Sequence, residues 1–383
     1  IGHDDRFYPA PYVGDLEDLR TVKALRETIK RLTALLEVEP ELVVADLHPK
    51  YNSTMAAHEM ELPVIQVQHH YAHILSCMAE NDCSGPVIGI SFDGTGYGTD
   101  GTIWGGEILY ADYEHFKRIG SIEPFWHVGG DIASKEGFRI AVSIIGGLVR
   151  EKEKAKNIIK ELELCTEPEA NVILTMAQRH LNAIESTSAG RLFDAVSAIL
   201  GIQKRSTFEG EASMALEFAA EAWQKEHEVK NTENTKNAKN AENVKNAGNA
   251  PNAKNNENTD AKEQEHIFMQ TNAIVWRMIE GRRQGEDVGK LAYEFHQLLA
   301  MEICAACENV RTQKKCNQVA LSGGVFQNRL LLELVEEELL NRKFQVLRHH
   351  LIPPNDGGIG LGQAVYGMAY LNKKKQTDSN NVK

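Results

Sequence analysis

The sequence predicts an α/β protein in which two lobes face a central cleft. Apolar strand runs end in glycine-rich turns both near the start, at residues 87–98, and near the end, at residues 318–324. A mostly helical stretch, roughly residues 135–313, separates them. At 383 residues the chain is long enough for two domains or one bilobal unit. The lobes are expected at residues 1–130 and 131–383, each pairing strands with helices.

The elements follow in order. Residues 42–47 (LVVADL) and 64–67 (VIQV) read as buried strands, and 72–81 has helical spacing. Residues 87–92 and 105–110 are strands around a glycine-rich turn. After the helical middle, residues 318–321 run into Ser322-Gly323-Gly324 and a helix. Residues 345–348 form a further strand, and Pro353 to Gly358 opens a last helix. Residues 230–265 stand apart, with six lysines, six acidic residues and Asn at every third position through most of the stretch. A period of three fits neither helix nor strand, so a disordered surface insert is expected there.

Composition excludes several classes. Hydrophobic residues are 42% and charged residues 25%, ordinary for a soluble globular protein. No apolar run approaches the roughly 18–20 residues that span a bilayer. The first residues, Ile1 to Asp5, lack the basic and apolar regions of a secretory signal, and without a Met the true start is expected upstream. Six cysteines without disulfide-framework spacing point to the cytosol. Cys304 and Cys307 form a lone C-x-x-C inside a helical pattern, which reads as a buried face rather than a zinc or redox site. A net charge of −12 lowers the expectation of a nucleic-acid partner.

Four motifs could carry chemistry. Asp93-Gly94-Thr95-Gly96-Tyr97-Gly98 follows a buried strand, where glycines can bring backbone N–H groups to an anion and Asp93 can meet a metal. A plain hairpin turn accounts for it equally well. His69 and His73 are spaced i, i+4, so on a helix both imidazoles leave one face and can share an ion, while His70 points elsewhere. Ser322 through Asn328 is a strand-to-helix turn whose glycines suit phosphate, or simply a tight connection. In Asn355-Asp356-Gly357-Gly358, Asp356 is a helix cap or a metal carboxylate. Together they describe a cleft for a nucleotide and one metal. Two imidazoles and two carboxylates suit Fe(II) or Zn(II) better than Mg(II), which prefers oxygen ligands.

At these residues the sequence resembles the C-terminal carbamoyltransferase domain of the HypF family of [NiFe]-hydrogenase maturation proteins. The stretches that carry the likeness are residues 46–49, 66–73, 92–107, 190–195, 321–328 and 353–358; the run from Asp93 to Glu107 is the most specific. The resemblance implies an actin, hexokinase and sugar-kinase-like ATPase fold with a central nucleotide and metal cleft. It implies transfer of a carbamoyl group from carbamoyl adenylate, formed from carbamoyl phosphate and ATP, to the C-terminal cysteine of a HypE-like partner. Carried over, His69, His73, Asp93 and Asp356 are the metal ligands, and the ion is iron or zinc. Gly190 and Asp194 are the ribose pair and Asn328 the adenine-side contact. Gly94, Thr95, Gly96, Gly323 and Gly324 line the phosphates, with which magnesium is compatible. Full-length members carry a YrdC-like adenylate-forming domain upstream that is not visible here, so only the transfer half-reaction is expected. The rivals are a tRNA threonylcarbamoyltransferase of the same superfamily and a non-catalytic nucleotide-binding subunit.

Lesser features read as structural. Asp131 is expected to cap a helix beside the cleft, Glu211 to add at most some cleft polarity, His349-His350 to be a half-exposed pair and His296 a satisfied core residue. No side chain stands out as a nucleophile, which suits an attacking thiol from the partner.

Overall fold

The computed structural model describes residues 1–4, 6–235 and 266–381. Two short strands, β1 (Gly2–His3) and β2 (Arg6–Phe7), pair ahead of helix α1 (Leu19–Leu36). Next come β3 (Val43–Asp46), α2 (Asn52–His58), β4 (Val64–Val67) and α3 (His69–Glu80). β3 and β4 form a small parallel sheet of their own. Three antiparallel strands follow, β5 (Val87–Tyr97), β6 (Ile103–Ala111) and β7 (Phe116–Ile122), then β8 (Phe125–Val128).

The middle holds α4 (Gly137–Leu148), α5 (Lys152–Glu161), α6 (Glu167–Arg179), β9 (Ala183–Ser186), α7 (Ala189–Ile199) and α8 (Glu211–Thr235). β10 (Ile267–Met269), α9 (Thr271–Arg283) and α10 (Val288–Lys314) complete it. The chain ends with β11 (Gln318–Ser322), α11 (Arg329–Asn341), β12 (Gln345–Leu347) and α12 (Asp356–Asn381). Among the described residues no helix is long and apolar enough to cross a membrane.

The main sheet runs β10-β7-β6-β5-β11-β12, so β5 from the first half lies parallel to β11 from the last quarter. The expected lobe boundary at residue 130 therefore cuts through a continuous sheet. Nothing in local sequence marks such a pairing, because β5 and β11 are joined only by distant hydrogen bonds. The mixed α/β architecture agrees with the expected fold class. The middle is less helical than its composition suggests, since β9 and β10 interrupt it, and α8 continues to Thr235, into the stretch expected to be disordered. Residues 236–265 lie outside the described residues.

Both faces of β5 are covered, which explains its unbroken apolar run. Ile88, Ile90 and Phe92 point into the large core with α4, α7 and α10. By the two-residue period, Val87, Gly89, Ser91 and Asp93 point to the other face, under α3. Gly89 is required there, since a Cβ would lie 2.6 Å from Ile74 of α3. On that helix Ile74, Leu75 and Met78 are fully buried and contribute roughly 1.5–3 kcal/mol each. Alternation along β5 thus delivers Asp93 to the helix that carries the histidine pair.

In the large core, Cys304 and Cys307 are buried as expected, and burial pushes the Cys304 thiol up to about 12. His296 is buried too. Its Nδ1 lies 2.8 Å from the Ala292 carbonyl and its Nε2 2.9 Å from Asn328 Nδ2, so Nδ1 carries the proton. Burial lowers its pKa to about 4. The unfolded chain therefore binds a proton below about pH 6.5 that the folded state refuses until about pH 4. That part of the stability is intact above pH 6.5 and lost as pH falls toward 4. His296→Gln should flatten the decline in unfolding free energy over that range by on the order of 3 kcal/mol. Parallel wild-type and variant curves in urea titrations at pH 7 and 4.5 would contradict this.

Candidate metal centre

α3 opens at His69, earlier than residue 72, because Gln68 caps it and its side chain accepts from the Tyr71 amide. This places His69 and His73 in successive turns on one face. Their rings lie 4.9 Å apart.

Asp93 does not sit in a turn. β5 runs straight through Asp93–Gly96, with a register shift against β6 between Phe92 and Gly96, and the hairpin turn comes later, where the Gly98 amide donates to the Thr102 carbonyl. The glycines thus mark a bulge that re-aims Asp93. A Cβ at Gly96 would fall 2.3 Å from His70, so the strand approaches α3 only because that position is bare.

Asp356 is the first residue of α12, but Asn355 does the capping, accepting from the Gly357 amide through Oδ1. The Asp356 carboxylate is left to face the histidines.

The four groups converge. His69 Nε2 is 3.0 Å from Asp93 Oδ2 and 3.4 Å from Asp356 Oδ1, and His73 Nε2 is 3.4 and 3.5 Å from the same two oxygens. One ligand atom from each residue lies within 4.8 Å of all the others. His73 Nε2 is buried yet makes no hydrogen bond among the described residues, an orphan that a cation would satisfy. Asp356 is 71% exposed, so this side of the cluster faces solvent.

Electrostatics match a site built for positive charge. Burial would lower the pKa of His69, but Asp356, Asp46 and Asp93 hold it well above its ordinary value. His73 is raised in the same way by Asp356 and Asp93 against its burial. Burial would raise Asp93, and the two imidazoles hold it well below the usual carboxylate range. Without a metal, imidazole protons supply the charge that a divalent ion would bring, so metal uptake releases protons.

Asp46, at the end of β3, has no role in the sequence reading. Its Oδ2 lies 2.7 Å from His69 Nδ1 and its Oδ1 accepts from the His48 amide. A carboxylate on Nδ1 turns Nε2 toward the site and makes it a better ligand. Asp46→Asn should weaken zinc binding about 10–100-fold. A competition titration giving the wild-type affinity would refute that role.

Taken with the fold, this centre can be compared with known proteins. Residues 1–80 match the family described as "HypF Kae1-like domain", and residues 89–363 that described as "Carbamoyltransferase, Kae1-like Domain, second subdomain". The chain belongs to the HypF family. It is 30% identical to the probable carbamoyltransferase HypF of Methanocaldococcus jannaschii over 96% of its own length and 44% of the relative's. It is 32% identical to the carbamoyltransferase HypF of Synechocystis over 95% of its length and 45% of that protein's. A crystal structure of full-length HypF in the phosphate- and nucleotide-bound form superposes with a TM-score of 0.78 at 34% identity, over 94% of this chain and 43% of that one. The chain thus spans less than half the length of these HypF relatives.

The residues expected to hold a nucleotide gather unevenly. A Cβ at Gly190 would lie 3.0 Å from the Gly94 Cα, so the start of α7 rests directly on the bulge of β5. Ser188, which caps α7, donates to the Gly94 carbonyl, and Thr95 stands exposed beside it. Gly324 donates its amide to Asp93 Oδ1 at 3.0 Å, which ties the second glycine turn to the carboxylate that faces the histidine pair. Gly323 donates to the Pro354 carbonyl.

Two side chains are already engaged. Asn328 caps α11 through Oδ1, which accepts from the Leu331 amide, while its Nδ2 meets His296. Asp194 is buried, accepts from Ser213 Oγ, and pairs at 2.8 Å with Arg191 Nε without hydrogen-bond geometry.

The structure also corrects lesser expectations. Asp131 lies within a short 3-10 turn, Gly130–Ser134, and does not cap α4. Glu211 accepts from the Thr207 amide and hydroxyl and adds nothing to the centre. His70 is buried away from the pair, as expected, beside Gln68. His349 is not half-exposed: its side chain is 4% exposed, between Glu80 and Ser322.

Proposed function

We propose that the chain transfers a carbamoyl group from carbamoyl adenylate to the thiol of a C-terminal cysteine on a HypE-like partner, within [NiFe]-hydrogenase maturation in the cytosol. The observation that carries this is the meeting of His69, His73, Asp93 and Asp356, from three distant segments, at one point between a histidine helix and a glycine bulge. The carbamoyltransferase names of the relatives support the class of reaction. All six cysteines are free, which suits a reducing compartment.

The donor set fits one divalent ion, iron or zinc, which when bound would supply Lewis-acid stabilisation of charge on the departing phosphate. The protein's own residues do the rest. Asp46 orients His69, and Gly324 and the bulge orient Asp93. Gly96 and Gly190 let β5, α3 and α7 close up on one another. At Gly94 an added Cβ would meet only the Glu209 carboxylate, at 3.9 Å, which leaves the backbone there open to the phosphate of an adenylate. In the transfer, the partner's sulfur forms a bond to the carbamoyl carbon as the bond to the phosphate oxygen breaks. AMP leaves with the electron pair, and the thiol proton passes to solvent.

Incubating the full chain with carbamoyl adenylate and a peptide ending in cysteine tests this. The peptide should gain the mass of one carbamoyl group. An unmodified peptide alongside modified tRNA would favour a threonylcarbamoyltransferase. Tight binding to the partner without turnover would favour a nucleotide-binding subunit.

A further inference from the structure

His69 and His73 are the first two members of a longer stripe. Residues 69, 73, 76 and 80 of α3 follow a 4-3-4 spacing, which keeps them on one helical face. All four are polar, and the lower two also address the C-terminal segment that carries Asp356. Ser76 Oγ donates to the Gly358 carbonyl in the first turn of α12 at 2.9 Å. Glu80 receives the loop before it: Oε1 accepts from the His350 amide at 2.6 Å and from the Leu351 amide, and Oε2 lies 2.8 Å from His349 Nδ1.

The other ring nitrogen of His349 completes a relay. Its Nε2 is 2.8 Å from Ser322 Oγ, and Ser322 is fully buried at the end of β11. Burial lowers the His349 pKa even against the pull of Glu80. The backbone donors and His349 outweigh burial and keep the Glu80 carboxyl below its ordinary value. The imidazole is therefore neutral, donates from Nδ1 to Glu80 and accepts at Nε2 from the Ser322 hydroxyl. Ser322 directly precedes Gly323, which donates to the Pro354 carbonyl, and Gly324, which donates to Asp93. This buried relay thus ends beside the turn whose Gly323 amide holds the Pro354 carbonyl, two residues before Asp356.

We propose that Glu80 and His349 are positioning residues that fix Asp356, and through it the geometry of the metal centre. The proposal rests on the four-residue metal site being real. Eight residues, 348–355, separate β12 from α12, and they contain no helix or strand. Leu351 at their middle is 88% exposed and contributes no packing. The loop is held at discrete points. Asn81 Nδ2 donates to the Arg348 carbonyl, Glu80 accepts from the His350 and Leu351 amides, the Gly323 amide donates to the Pro354 carbonyl, and Ser76 Oγ donates to the Gly358 carbonyl. The helix that presents both imidazoles therefore also sets the position of the carboxylate that opposes them. Ligands fixed by one rigid element keep their spacing, which is what metal affinity requires.

Zinc affinity of the full chain, measured by competition with a chromophoric chelator, provides the test. Glu80→Ala should weaken zinc binding about 10–100-fold. The double variant with Asp356→Asn should bind zinc no more weakly than Asp356→Asn alone, because Glu80 acts only through Asp356. A merely structural role would instead multiply the two losses. If Glu80→Ala fails to fold, Glu80→Gln keeps the acceptor for both amides and forces only the His349 tautomer to switch, giving a loss of a few-fold. Unchanged affinity in the glutamate variants, or losses that multiply, would overturn the proposal while leaving the metal site standing. A wild-type chain that takes up no zinc would overturn both.

Discussion

Replacing His73 with alanine is expected to eliminate tight zinc or iron binding and, on the proposed function, to reduce carbamoyl transfer on the order of 100-fold or more. Two facts set the size of the effect. His73 Nε2 is buried and makes no hydrogen bond among the described residues, so it is open to a metal. It also lies 3.4 and 3.5 Å from the two carboxylates, so its loss leaves Asp93 and Asp356 to repel each other across the gap. The effect must exceed that of Asp46→Asn, since in the proposed site Asp46 only orients a ligand and His73 is one. Metal analysis of the purified variant, with an unfolding curve of the metal-free protein to confirm folding, checks this. A variant that holds one ion with wild-type affinity would refute the role given to His73.

The second large effect is on folding. Gly323 has φ of +102° and ψ of 154°, a region open in practice only to glycine. A Cβ there would lie 2.1 Å from the Phe92 carbonyl oxygen in β5, and backbone cannot move aside as a side chain can. Gly323→Ala is expected to destabilise the protein by on the order of 3–5 kcal/mol. It should also weaken zinc binding, because displacing this turn pulls the Gly324 amide from Asp93. Gly147→Ala is the control. Its Cβ would meet nothing within 4 Å near the end of α4, so it should be neutral or stabilising by up to about 1 kcal/mol. Denaturant midpoints for the two variants give the comparison, and equal midpoints would contradict it.

These cases show what local sequence could convey. The i, i+4 histidines are legible because the helix period places them directly, and the two-residue period of β5 puts Asp93 on the face under α3. The bulge at Asp93–Gly96 was not legible, since a glycine run reads as a turn unless the partner strand is known. Asp46 stood in plain sight at a strand end, but its bond to His69 spans two elements. His349 looked half-exposed because nothing near it in the chain announces Glu80, 269 residues away. Asn328, the adenine-side contact that the resemblance implies, caps α11 and meets His296, partners that local spacing does not announce. That the boundary at 130 crosses the main sheet was hidden for the same reason, because the pairing of β5 with β11 is non-local.

The coordination shell is the most direct test of the centre. X-ray absorption at the metal edge of the zinc- or iron-loaded chain should show two imidazoles and carboxylate oxygens at about 2.0–2.2 Å. His73→Ala should remove one imidazole from that shell. A shell of oxygens alone, or any sulfur from cysteine, would contradict a site built from His69, His73, Asp93 and Asp356.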